Sequence, residues 1–185
     1  MNFWKIGGAL VSGAIGLTLA GAPAIAATPV QGALGTTSQG QIGISATIPA
    51  SVQISKLSDM AFGTLDPSTA TQLTENPCVW SNTTTKGYTI TANGSGTANA
   101  YTLSNGTTTV GYGVQWSGTS GVSSGTVLAA GTASPFVSTA TSPVCASGPA
   151  TSASLIVTFS TAQMQAAVGS STAYNGTLTL IVAPQ

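Results

Sequence analysis

Between residues 41 and 48 the chain reads QIGISATI. Ile42, Ile44, Ala46 and Ile48 fall on one side of an extended backbone, and Gln41, Gly43, Ser45 and Thr47 on the other. Successive side chains of a strand point to opposite faces, so this alternation predicts a half-buried β-strand. Pro49 interrupts it and marks an end or an edge, because proline lacks the N–H that a central ladder needs. The same period recurs downstream. A short run at 52–57 precedes alternating Met60 and Phe62, then Gly63 and an Asp66-Pro67 turn. Glu75 reads as part of a polar loop. Cys78 and Trp80 share a face, and Tyr88, Ile90 and Ala92 share the next, ahead of an Asn93-Gly94 turn. Tyr101 and Leu103 lead into Asn105-Gly106, and Val110, Tyr112, Val114 and Trp116 alternate beyond it. Asn-Gly between alternating runs predicts a tight hairpin whose two central residues both take positive φ.

After Trp116, residues 117–124 are rich in Gly, Ser and Thr and read as loop. Strands are expected at 126–130, 135–138 and 153–159, and the last carries Leu155, Val157 and Phe159 on one face. The one helical signal is at 160–168, where Ser160 and Gln163 have the spacing of a capping box ahead of Met164. Past the Asn175-Gly176 pair, Leu178, Leu180 and Val182 alternate and are expected to face the core. Short strands at regular spacing, with turn residues between them, predict an all-β antiparallel sandwich with one short helix.

The N-terminus breaks this pattern. Lys5 precedes an apolar run at 6–20, followed by Gly21, Pro23 and the triplet Ala24-Ile25-Ala26. That is the layout of a secretory signal peptide, which places 1–26 outside the mature protein, with cleavage after Ala26 or Ala27. Its apolar core is too short and Gly-rich to be preferred as a spanning helix. Residues 27–50 are then a flexible leader and the first strand, and 51–185 one β domain.

Export changes how the two cysteines and the scarce charges are read. Cys78 and Cys145 are the only cysteines, and in an oxidising compartment they most simply pair with each other; two thiols without histidine are too few for a structural zinc site. Without Lys5, the charges are Lys56 and Lys86 against Asp59, Asp66 and Glu75, a net charge of about −1. Nucleic-acid binding and polybasic lipid contact both need many cations and are excluded on that ground. Near-zero net charge leaves nothing to repel neighbouring copies and suits a protein that assembles.

Candidate chemistry is sparse. The chain has no His and three carboxylate side chains, so few groups can titrate near neutral pH, and its many hydroxyls lack a general base. Asp66 and Glu75 are the minimum pair for a glycosidase, but a turn and a polar loop explain them more simply. Asp59, Asp66 and Glu75 lack the spacing of a calcium loop. Trp80, Tyr88, Tyr101, Tyr112 and Trp116 could present a sugar-stacking platform, although their alternation with apolar residues favours a core position for most. Asn-x-Ser/Thr triplets begin at Asn82, Asn93, Asn105 and Asn175, and Asn-Gly turn chemistry accounts for the last three. No catalytic, cofactor or metal residues are expected.

QIGISATIPASVQIS leading to MAFGTLDP, Cys78 opening a central strand, and the terminal AYNGTLTLIV resemble the spore coat protein U-like pilins of archaic chaperone-usher pili. The resemblance spans nearly the whole mature chain, with FGTLDP and the Tyr-x-Gly-x-Leu ending as its sharpest parts. One departure is that many relatives have a Cys where this chain has Val52. The resemblance implies an incomplete immunoglobulin-like sandwich that lacks its last strand. A periplasmic chaperone fills the gap first, and the N-terminal strand of the next subunit then replaces it at an outer-membrane usher. By that likeness the partners are related pilin subunits, the chaperone and the usher. The product is a cell-surface pilus serving adhesion and biofilm formation, with no cofactor. Ile42, Ile44, Ala46 and Ile48 would be the donor-strand residues. A strand at the end of the chain and a spare alternating strand at its front fit the same expectation. The alternative is a secreted carbohydrate-binding or matrix β-sandwich protein.

Overall fold

The computed structural model describes residues 28–185 and divides the chain into two units, Met1–Ile48 and Pro49–Gln185. The signal-peptide reading of 1–26 lies outside the described residues. In the first unit, Val30 and Gln41 form an antiparallel bridge, with N–H to O distances of 3.0 and 2.9 Å, so the leader folds back on itself. From residue 42 to 48 no ladder forms. The alternating segment has strand chemistry, but a strand exists only against a partner edge, and among the described residues it is laddered to none.

The second unit carries strands β1 Val52–Ser55, β2 Thr71–Glu75, β3 Cys78–Ser81, β4 Gly87–Gly94, β5 Thr102–Ser104, β6 Thr109–Gly111, β7 Gly113–Ser117, β8 Thr126–Val127, β9 Ser134–Val137, β10 Ser154–Phe159 and β11 Leu178–Pro184, with helix α1 Thr161–Ala166. Every strand pairing is antiparallel. The sheets run β2-β10-β7-β8 and β11-β4-β9, with β1 on β3 and β5 on β6. Tyr88, Ile90 and Ala92 from β4 meet Val114 and Trp116 from β7 and Leu155, Val157 and Phe159 from β10 in one core. Two sheets sharing their inner faces are consistent with a β-sandwich.

β10 is buried on both faces, since Ser154 and Ile156 are also fully covered. Hydrogen bonds along this outer side come from the 118–124 loop: Gly121 N–H to Asn76 Oδ1 at 2.8 Å, Val122 N–H to Ser154 Oγ at 3.2 Å, and Gln72 Nε2 to the Ser123 carbonyl at 3.1 Å. The run SLIVTF is therefore almost continuously apolar. Cys78 and Cys145 are bonded, with Cα atoms 5.9 Å apart, and Trp80 and Ala140 pack on the bridge. A crosslink closing a loop of 67 residues contributes about 4 kcal/mol in the chain-entropy account.

Several boundaries differ from the sequence expectation, each for a local reason. β1 ends at Ser55 because Lys56 takes φ 61°, which turns the chain off the strand's line. Asn93-Gly94 is not a turn: β4 runs through it, and Gly94 pairs with Leu178. Glycine is required there by a close approach, since a Cβ would lie 2.1 Å from the Ala100 carbonyl oxygen. The Asn105-Gly106 hairpin is present, but Ser104 pairs with Thr109, so its loop has four residues. Asn105 Oδ1 accepts from the N–H groups of Thr107 and Thr108, and of the Asn-Gly pair only Gly106 has positive φ, at 93°. The run Val110 to Trp116 keeps its alternation while changing sheets at Tyr112, with β6 on β5 and β7 on β10. β2 was not legible as a strand: TQLTE has a single large apolar residue, and Glu75 closes this edge strand instead of lying in a loop. β8 is shorter than 126–130, and β9 holds Pro135 at the sheet edge, where its missing N–H costs no ladder bond.

The helix follows its signal. Gln163 N–H donates to Ser160 Oγ at 3.2 Å and Ser160 N–H to Gln163 Oε1 at 2.8 Å, completing the capping box, and Met164 is buried. It stops at Ala166 because Ala167 is already extended, at φ −79° and ψ 150°.

The buried core predicts how the fold responds to alkali. Burial pushes the Tyr88 phenol from its ordinary 10.0 up to about 12, partly offset by its hydrogen bond from Trp116. Burial also raises Tyr101 and Tyr112, the latter helped by its neighbour Tyr101. The unfolded chain releases the Tyr88 proton near pH 10 while the folded one keeps it. The contribution is therefore fully present below pH 10 and is lost as pH rises through about 12. Urea unfolding at stepped pH should show level stability up to pH 10 and then a fall totalling about 2–3 kcal/mol from this group. A profile flat through pH 12 would contradict this burial.

Candidate functional site

The second unit contains one large groove, about 570 Å³, among the described residues. Leu178 and Leu180 of β11 line one side, and residues 57–60 with Phe62 and Glu75 line the other. Val157 and Phe159 of β10, Tyr112 and Leu103 complete the apolar surface. The alternation of β11 places Leu178, Leu180 and Val182 inward and leaves Thr179 and Ile181 more exposed, as the sequence predicted. Phe62 meets Phe159 edge to face, with ring centroids 4.8 Å apart, which fixes the 57–62 segment by its side chains.

The backbone on both sides is largely unpaired. Among the described residues β11 is laddered to β4 alone; β1 approaches β11, and the Leu178–Leu180 stretch of β11 faces the groove. Across residues 57–65 the single backbone group with a hydrogen-bond partner is the Ser58 N–H, which donates to the Glu75 carboxylate. The Ser58 hydroxyl donates to the same oxygen at 2.5 Å. A trough with apolar side chains at its floor and polar ones at its rim, between two backbone stretches without ladder partners, is what an added strand needs: main-chain bonds on both sides and pockets for alternate side chains.

Residues placed by sequence reasoning separate as follows. Ile42, Ile44 and Ile48 are 77, 88 and 84% exposed, and Ala46 is exposed too, so the apolar stripe of the first unit is uncovered. Asp66 and Glu75 each hold their own serine, Ser68 and Ser58. The Ser68 N–H and then its hydroxyl hold Asp66 below its ordinary value, the wrong direction for a general acid. Among the described residues no three of His, Cys, Asp and Glu come together as a metal site. The five aromatics do not form one exposed platform. Tyr88, Tyr112 and Trp116 are buried, Trp80 lies half-buried on the disulfide, and Tyr101 stacks at 5.6 Å on Tyr112. Asn82, offered as a glycan acceptor, has its amide engaged with Ser51 N–H and the Pro49 carbonyl.

Sequence reasoning missed the groove's second wall and the Glu75–Ser58 contact. The available signal was that Met60 and Phe62 alternate with no turn partner to pair against. No helix among the described residues is long and apolar enough to cross a membrane. Compared with protein-family models, with characterised proteins and with solved structures, the chain matches none.

Proposed function

We propose that the chain is a structural subunit of a surface fibre, in which residues 41–48 of one copy lie in the groove of another. The observation that carries this reading is a groove with Leu178, Leu180, Val157 and Phe159 among its lining, bordered by backbone without ladder partners, in a chain that also exposes an alternating apolar segment. The dimensions are compatible: eight extended residues span about 26 Å, and β11, seven residues long, has no second ladder partner among the described residues. So is the chemistry. No charge occurs between residues 28 and 55, and the charged residues lining the groove are the carboxylates Asp59 and Glu75, so the uncharged segment brings no like charge to it. Ile42, Ile44, Ala46 and Ile48 fill the trough, and Gln41, Gly43, Ser45 and Thr47 face away. In this reading the sandwich is immunoglobulin-like and incomplete, as the likeness to spore coat protein U-like pilins implies. A periplasmic chaperone covers the groove before an outer-membrane usher passes the subunit to the cell surface. The chain has no catalytic role and no cofactor.

The test is removal of residues 41–48 from the exported chain, with electron microscopy and size-exclusion chromatography for fibres. The expected outcome is a folded, disulfide-bonded chain that forms no fibres by itself and binds a synthetic peptide of residues 40–50. Fibres identical to those of the intact chain would overturn the proposal.

A further inference from the structure

The groove's two walls are built differently. β11 is held by a seven-residue ladder to β4, whereas the 57–62 wall belongs to no ladder. It leaves β1 at Lys56, whose φ of 61° redirects the chain, and regains side-chain anchorage at Met60 and Phe62. Between those points its one backbone hydrogen bond runs from Ser58 N–H to Glu75, with the Ser58 hydroxyl on the same oxygen. Glu75 is well placed to hold something still. It ends β2, on the half-buried row with Thr71 and Leu73, and is paired to Leu155 of the doubly buried β10. The nearby cation does not compete for it, since Lys56 Nζ donates to the Ala150 carbonyl at 2.6 Å.

We propose that Glu75 is the positioning residue of the groove: its carboxylate fixes the otherwise ladderless 57–62 wall through Ser58 and so keeps the site ready for an incoming strand. This rests on the reading of the groove as a strand acceptor. A hydrogen bond to a carboxylate is roughly twice as strong as a neutral one, and two on one oxygen restrict both the backbone and the side chain of Ser58. With the wall held beforehand, the incoming strand meets an ordered edge; without it, the ordering is charged to the binding step and lowers affinity.

The experiment uses the monomeric full chain and a synthetic peptide of residues 40–50. Peptide affinity, melting temperature and the Ser58 amide signal are compared for the parent chain, Glu75→Ala and Glu75→Gln. Glu75→Ala is expected to raise the peptide Kd about tenfold. The Ser58 amide should lose its slow exchange and its downfield position. Glu75→Gln keeps an acceptor oxygen and should recover part of both. Ile156→Val, on the outer face of β10, serves as the stability control and should lower the melting temperature while leaving Kd unchanged. Three outcomes overturn the proposal: parent affinity in Glu75→Ala, no recovery in Glu75→Gln, or an equal loss of affinity in Ile156→Val. If the parent chain binds no peptide, the acceptor reading fails and the positioning role falls with it. The Ser58 amide still reports whether Glu75 holds the wall, so the two failures are told apart.

Discussion

The chain carrying Ile44→Asp is expected to fold and be exported but to yield no fibres. Ile44 is 88% exposed in the single chain, so the substitution removes no packing from its own fold and stability should be unchanged within about 0.5 kcal/mol. In the assembled state the same side chain enters an apolar trough. Burying an isoleucine is worth about 1.5–3 kcal/mol, and an aspartate there would lose that gain and carry an unpaired charge out of water. Nothing in the groove compensates: its lining has no Lys or Arg, while Asp59 and Glu75 add repulsion. Ser45→Asp, facing away, should assemble far better. Fibre yield by electron microscopy, beside melting curves of the monomers, reads both halves. Normal fibres from Ile44→Asp would remove the main support for strand donation. A melting temperature lowered by several degrees would show that Ile44 packs within its own chain.

Trp116 is expected to be the position at which the fold is most easily lost. It is fully buried, and its Nε1–H donates at 2.9 Å to the hydroxyl of Tyr88, itself fully buried on the opposing sheet. Trp116→Ala removes the largest side chain of the core and should cost about 3–5 kcal/mol, against a total of about 5–15 kcal/mol for a domain. Trp116→Phe keeps most of the ring but leaves the Tyr88 hydroxyl without its donor, at about 1–3 kcal/mol. Tyr88→Phe strands the indole N–H at a similar cost. The double variant should therefore lose less than the sum of the two, because neither polar group is then left alone. Urea midpoints for the four chains form the cycle. Strict additivity would mean that this hydrogen bond carries no coupling.

What the residues determined alone is local. Period-two alternation put Tyr88, Ile90 and Ala92 on one face of β4 and Leu178, Leu180 and Val182 on one face of β11, because a strand's side-chain period does not depend on its partner. The capping box of α1 was equally legible, since both of its hydrogen bonds lie within four residues. Two cysteines in a chain that opens like an exported one admitted one intramolecular bridge, and Cys78–Cys145 is that bridge. Tertiary structure decided whatever depends on a distant partner. Asn93-Gly94 has turn chemistry, yet pairing with Leu178 and Thr179 of β11 drew it into a strand. TQLTE has weak strand character, yet the edge of β10 made it β2. Residues 42–48 alternate strictly yet form no ladder among the described residues, while residues 57–62, with only Met60 and Phe62 to mark them, became the wall of a groove. Alternation states which side of a strand is apolar. Whether an edge exists to receive it depends on chain closure over many residues, and that is settled only when the sheets are assembled.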